Sequence, residues 1–249
     1  MPRNKVKYLK GAKDAIDKEY NKLNARKFVD WSSVREKRDV RNEAKANNEV
    51  VHFGALMTLC HEKHAELFRP EEKKEYKGRI VFRGDDVRDA EGYLAVFSEQ
   101  GTSASHLEAA KMMDALARLS VDPEDDFTLG DERSSQEDDG ECDGEDADAI
   151  GAYTQALLGG PKTWITIPRE YWPAEWHGKF TEPVVLLQRN LYGHPLAGLF
   201  WQRHCQTALF SFGWEQVKGW ECLYKHRKDL LFLSVYVDDF KMAGFKSSM

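Results

Sequence analysis

The stretch LLFLSVYVDDFKMAG, Leu230 to Gly244, constrains the fold of this chain more than any other. It reads as an apolar strand, a tight turn carrying two adjacent carboxylates, and a second apolar strand. Aspartate is disfavoured in strands, and a pair of them in an otherwise hydrophobic hairpin carries a solvation cost. A divalent cation held by oxygen ligands offsets such a cost. The plainer alternative is a polar turn, where Asp is common. Successive strand residues point to opposite faces, so Asp238 and Asp239 are not expected to be equal ligands.

Around this hairpin the chain alternates helical and extended patterns. Lys13 to Asn24 places Ile16, Tyr20 and Leu23 on one helical face. Val34 to Asn47 is charged and predicts a second, largely solvated helix. Glu49 to Cys60 predicts a strand paired with Lys77 to Phe82. A helix is expected over His106 to Leu119, with Ser103 or Ser105 as its N-cap. Asp148 should end a short strand, with a helical turn beginning over Ala152 to Leu158. Strands follow at Thr163 to Ile167 and Pro183 to Gln188. A helix over Leu196 to Phe212 is stopped by Gly213. Strands at Cys222 to His226 and Leu230 to Val237 form the last sheet region. Helices covering one face of an antiparallel sheet make an α+β layer architecture.

The clearest break is VDPEDDFTLGDERSSQEDDGECDGEDAD. Between Asp122 and Asp146, thirteen acidic residues stand against Arg133 alone, with almost no apolar side chain and no periodicity. This predicts a solvated, disordered insertion over 121–147. It divides an N-terminal region at 1–120 from a C-terminal one at 148–249. The insertion also masks the charge balance. The net charge is −6, yet the rest of the chain carries more bases than acids, which suits contact with a phosphate backbone. A hydrophobic content of 41% with seven tryptophans argues for a packed core. No apolar run is long enough to span a bilayer, and MPRNKVKYLKGAK lacks an apolar signal core. No membrane partner is expected, and an intracellular location, cytoplasmic or nuclear, is. The four cysteines show no disulfide-framework spacing. Cys60, His61 and His64 in CHEKH lack the second ligand pair that a zinc site needs.

The YVDD box, Tyr236 to Asp239, resembles the catalytic hairpin of reverse transcriptases, and other motifs follow the order of the copia-type retrotransposon branch. DAIGAYTQA, from Asp148, looks like the family's aspartate-led block, with the aromatic Tyr153 five residues on. NLYGHPLAGLFW, Asn190 to Trp201, is similar to its LYG turn and following helix. EYKGRIVFRG, Glu75 to Gly84, resembles its fingers strand. TWITIP and PVVLLQRNLYG match the intervening strands, so the resemblance runs from about Lys18 to Gly244. Two departures stand out. Where the family continues L-K-Q-A-P, this chain has His194, Pro195, Leu196, Ala197 and Gly198, so Leu196 replaces a glutamine that contacts template and nucleotide. FKSSM after Gly244 leaves no room for the family's thumb and RNase H.

The resemblance implies the fingers and palm of a right-hand polymerase, with an antiparallel palm sheet backed by helices and truncated after the YVDD hairpin. It implies RNA-directed DNA polymerisation. The partners would be an RNA or DNA template with its primer, and deoxynucleoside triphosphates. It also implies a two-metal Mg²⁺ site, with Asp148 and Asp238 as ligands and Asp239 as a supporting acid. Two such ions, about 3.5–4 Å apart, activate the attacking hydroxyl and stabilise the leaving pyrophosphate. Tyr153 would stack under the sugar and exclude a 2′-hydroxyl. Lys77, Arg79 and Arg83, of equal parity on one strand, would face the triphosphate. Tyr192 and Gly193 would form the turn beside the nucleotide. The alternative is a degenerate remnant that keeps the fold and at most weak nucleic-acid binding.

Overall fold

In the computed structural model, which describes residue 6 and residues 8–67, 69–70, 73–97, 104–119 and 141–249, helix α1 (Lys10–Ala25) buries Ala12, Ile16, Tyr20 and Leu23. That helical spacing presents one apolar stripe, which packs on strands β2 (Val51–Lys63) and β3 (Glu75–Phe82). Strands β1 (Val29–Glu36), β5 (Lys162–Thr166) and β6 (Pro183–Leu187) complete a sheet of order β1-β6-β5-β2-β3. β2 serves two partners in turn. Val51 to Ala55 run parallel to Lys162 to Thr166, and Leu56 to Lys63 run antiparallel to β3. Phe28, Ile80, Phe82, Ile165, Val185 and Leu191 are buried between this sheet and α1. Helix α2 (Lys37–Ala46) sinks Val40 and Ala44 against Val51, Phe53, Trp164 and Val184.

α2 is shorter than its charge pattern suggests. Val34 to Glu36, expected to be helical, end strand β1, because the Glu36 carboxylate accepts the backbone N–H groups of Thr181 and Glu182 at 2.5 and 3.0 Å and ties the strand end down beside β6.

The second sheet has the order β4 (Cys142–Asp148), β10 (Asp239–Phe245), β9 (Leu231–Tyr236), β8 (Leu223–His226) and β7 (Trp214–Gln216), antiparallel throughout. Helix α3 (Leu107–Leu116) packs Ala109 and Met113 onto Leu223 and Ala243. Its cap position is His106, with no side-chain bond. Ser105, a candidate cap, instead shares a 2.7 Å hydroxyl bond with Ser234, and Ser103 lies outside the described residues. Helix α4 (Ala197–Ser211) ends just before Gly213.

Most of the acidic window, residues 120–140, lies outside the described residues. Its last part corrects the expectation of a structureless insertion. Cys142 to Asp146, followed by Ala147 and Asp148, form β4, paired residue for residue with β10. Their intrinsic strand preference is poor, so pairing outweighs propensity here. Lys241 of β10 helps, donating to Asp114 at 2.6 Å and standing 3.7 Å from Asp146.

Two compact units result, one from Met1–Gln100 and Tyr153–Phe200, the other from Gly101–Ala152 and Trp201–Met249. They are discontinuous, unlike the contiguous blocks 1–120, 121–147 and 148–249 suggested by composition, because sheet pairing sets the division. The chain is thus a mixed α/β protein of two sheets with helices, compatible with the α+β class. Among the described residues no helix is long and apolar enough to cross a membrane.

Candidate functional site

In the second unit, β9 and β10 form a hairpin in which Tyr236 pairs with Asp239 and only Val237 and Asp238 turn the chain. So short a turn demands positive φ, and Val237 sits at φ +57°. A β-branched residue there is strained by about 1–3 kcal/mol. Two hydrogen bonds to its carbonyls hold the turn. The buried Trp201 indole N–H donates to the Val237 carbonyl at 2.6 Å, and the Ala149 N–H donates to the Asp238 carbonyl at 2.7 Å.

The second bond matters because Ala149 follows Asp148. Asp148 ends β4 directly opposite Asp239 of β10, and Asp238 is the next residue of the turn. Two distant parts of the sequence, Asp148 and the adjacent pair Asp238 and Asp239, therefore meet at one end of one sheet. Residues opposed across antiparallel strands share a face, with Cβ atoms about 4.5–5.5 Å apart. The direct partner of Asp148 is Asp239, the acid expected to be supporting, while Asp238 stands at the tip. Asp148 and Asp239 are exposed and Asp238 is half-buried. Among the described residues no three His, Cys, Asp or Glu side chains converge as a ready-made metal cage. Mg²⁺ does not require one, since one or two carboxylates plus substrate phosphates usually hold it. The oxygen donors here fit such an ion.

In the first unit, β3 buries Gly78, Ile80 and Phe82 and turns Lys77 and Arg79 to the opposite face. Arg83 departs from the expected row. The strand ends at Phe82, and the Arg83 guanidinium pairs with Asp85 at 3.0 Å, which raises its pKa. Arg79 lies over the Tyr192 ring, 5.0 Å from its centroid. Tyr192 in turn meets Tyr153 edge to face at 4.5 Å. Cation–π and edge-to-face contacts thus join three of the predicted substrate-binding residues.

The Tyr192–Gly193 turn is locked onto the end of β3. The Phe82 N–H donates to the Tyr192 carbonyl at 2.8 Å. Gly193 has φ +88°, and a Cβ there would stand 2.2 Å from the Phe82 carbonyl oxygen. A Cβ on Gly84 would likewise stand 2.2 Å from the Gly193 carbonyl oxygen, so two backbones touch where side chains cannot fit.

No family model, no curated protein and no solved structure matches the chain. What the two groups can do follows from their own chemistry.

Two residues beyond the sequence-derived set support these turns. Trp201, read only as part of a helix, holds the aspartate turn from a distance, and no local pattern announces such a bond. His194, read as a departure from a motif, is a buried prop. Its ring packs 4.8 Å from Phe82 and 5.9 Å from Phe97, and its Nδ1 accepts the Leu196 N–H at 3.2 Å. Burial, with a smaller contribution from nearby His52, pushes its pKa down to about 4. It is therefore neutral at pH 7 and serves as an acceptor rather than a phosphate-binding cation.

Proposed function

We propose that the chain is the fingers-and-palm portion of a copia-type reverse transcriptase, carrying out RNA-directed DNA polymerisation. The observation that supports this best is the meeting of Asp148 and Asp239 on adjacent strands with Asp238 in the turn beside them, although Asp148 and Asp238 are some ninety positions apart. The order of the YVDD, LYG and aspartate-led motifs is the second support.

On this reading a primer 3′-hydroxyl attacks the α-phosphorus of a deoxynucleoside triphosphate. A new P–O bond forms, and the bond to the β-phosphate oxygen breaks to release pyrophosphate. Mg²⁺ supplies the positive charge that lowers the hydroxyl pKa and stabilises the leaving group. Asp148 and Asp238 would hold such an ion, and Asp239, opposite Asp148, adds negative charge beside them. Arg79, resting on Tyr192, would offer a triphosphate a delocalised cation, and Lys77 on the same strand face a second. Tyr153, braced against Tyr192, presents a ring to the sugar.

The test is gel-based extension of a primed RNA template with Mg²⁺ and deoxynucleotides. Nucleotide addition by the wild-type chain that disappears in Asp238→Asn supports the reading, because the amide keeps the shape and loses the charge. Tyr153→Val should admit ribonucleotides. Equal addition by wild type and Asp238→Asn would end the assignment of this turn as the metal site. A second reading, a non-catalytic remnant with weak nucleic-acid binding, is favoured by Leu196, whose side chain cannot hydrogen-bond, and by the pairing of Arg83 with Asp85. Its signature would be salt-sensitive template binding with no addition.

A further inference from the structure

Lys37 and Arg41 stand one turn apart on α2, a spacing at which like charges repel. Both line a small cavity of about 130 Å³ in the first unit. Phe53 of β2, Thr166 at the end of β5, and Asp86 and Arg88 from the turn after β3 complete its charged and polar walls. Two of its three cations are answered within the chain. Arg88 donates to Asp86 at 2.8 Å and to the Gly92 carbonyl at 3.0 Å, and Lys37 donates to Glu182 at 2.7 Å. Each of these side chains keeps N–H groups to spare.

Arg41 is the exception. It is half-buried, with its guanidinium over the Phe53 ring at 5.4 Å from the centroid, and it has no ion pair among the described residues. Its Nε is enclosed, so the two Nη groups are what it presents outward, and neither has a hydrogen-bond partner among the described residues. The half-buried Thr166 hydroxyl is likewise without a partner among them. A half-buried charge with no counter-ion carries a solvation cost that a bound anion removes.

Size and charge narrow the anion. The space is well below that of a pocket for a drug-sized ligand, and suits one compact group. Its donors sit on a helix, a strand end and a turn, an arrangement better matched to a tetrahedral anion than to a planar carboxylate. The lining carries a net charge of +2, from Lys37, Arg41 and Arg88 less Asp86, which complements a phosphate dianion. A phosphodiester brings a single charge and needs room for chain on both sides.

We propose that this cavity binds the phosphate dianion, free or as the terminal group of a small phosphomonoester, on the Arg41 fork and the Thr166 hydroxyl, with Lys37 and Arg88 flanking. The site shares no residue with those assigned to metal, sugar or triphosphate, so it stands or falls independently of the polymerase reading.

The probe is radiolabelled inorganic phosphate in equilibrium dialysis against the full chain at constant ionic strength. The competitors are glycerol phosphate, acetate and a single-stranded oligonucleotide without terminal phosphates. Saturable binding is expected below about 10 mM, and acetate should compete at least about tenfold more weakly. Glycerol phosphate decides the source: stronger competition than by unlabelled phosphate assigns the cavity to a phosphomonoester, and weaker competition to the free ion. Arg41→Gln should weaken phosphate about tenfold, the scale of a charge-assisted hydrogen bond. Thr166→Val keeps the shape, loses only the hydroxyl and should weaken binding about threefold, so it decides the matter if Arg41→Gln does not fold. Unchanged affinity in either folded variant would overturn the proposal, as would the lack of saturable binding or equal competition by acetate. Oligonucleotide binding tighter than that of phosphate, and lost in Arg41→Gln, would overturn the choice of a dianion.

Discussion

Two turns make the same demand on the backbone and meet it with opposite residues. At Gly193 the chain needs positive φ and has no room for a Cβ, and glycine satisfies both conditions at no steric cost. At Val237 the chain again needs positive φ, but a β-branched residue supplies it, and the strain is offset from outside by the Trp201 indole and by strand pairing on both sides. The glycine turn is locally at ease and sterically irreplaceable. The valine turn is locally uneasy and held by neighbours. Strain of this kind gathers where a site must present groups in a fixed pose, and the valine turn is the one that carries the aspartates.

The largest effect that would break this comparison is expected at the glycine turn. Gly193→Ala combines a Cβ clash against the Phe82 carbonyl with an unfavourable φ, and should destabilise the chain by about 3 kcal/mol or more in denaturant unfolding. A loss under 1 kcal/mol would show that the turn can move off β3.

The next effect comes from pH. Burial holds His194 down to about 4, while the unfolded chain binds its proton near 6.5. A depressed base costs stability as the unfolded state becomes protonated first. Stability should therefore be whole above about pH 6.5 and fall by about 2 kcal/mol between pH 7 and pH 5, levelling below about 4. His194→Asn, which retains an acceptor for the Leu196 N–H, should remove most of that slope. An unaltered slope in the variant would place its origin elsewhere.

Smaller effects are expected at the valine turn. Trp201→Phe keeps a ring in the core but deletes the bond to the Val237 carbonyl, and should cost about 1–2 kcal/mol. Val237→Gly relieves the strained φ but frees the unfolded backbone, so the two terms nearly cancel within about 1 kcal/mol. The informative comparison is the double variant. If Trp201 serves to hold strain in place, its loss should cost less once Val237 is glycine. Strict additivity would show that the indole bond and the strain are unrelated.

The sequence shows those parts of the molecule that rest on local pattern. Ile16, Tyr20 and Leu23 recur at helical spacing and are buried, and the apolar run through Leu231 to Tyr236 marks β9. β1 was hidden because VDWSSVRE is too polar to look like a strand, and Glu36 fixes its end through bonds to residues that the local sequence does not contain. Of β4 the sequence shows the end, since Asp148 is read as closing a short strand, but the acidic residues from Cys142 to Asp146 argue for loop until a partner strand and Lys241 are supplied. At the candidate site, Asp148, Asp238, Asp239, Tyr153, Tyr192 and Gly193 all stood out by residue type and order. The register of Asp148 against Asp239, the seat of Arg79 on Tyr192 and the early end of β3 before Arg83 did not. Each of those depends on which backbones lie side by side.

The long reach of the strand pairings also bears on how the chain acquires its shape as it is made. β2 can align with β5 only after Lys162 has been synthesised, and β1 must wait for β6. At the sheet edge, β4 has β10 as its neighbour, so Cys142 to Asp148 cannot join a sheet until Asp239 to Phe245 have left the ribosome. Such separations make for slow folding and leave apolar strands waiting for partners. A nascent chain halted near residue 160 should therefore hold α1 and the β2–β3 hairpin, lack both finished sheets, and depend on chaperones until the last hairpin emerges.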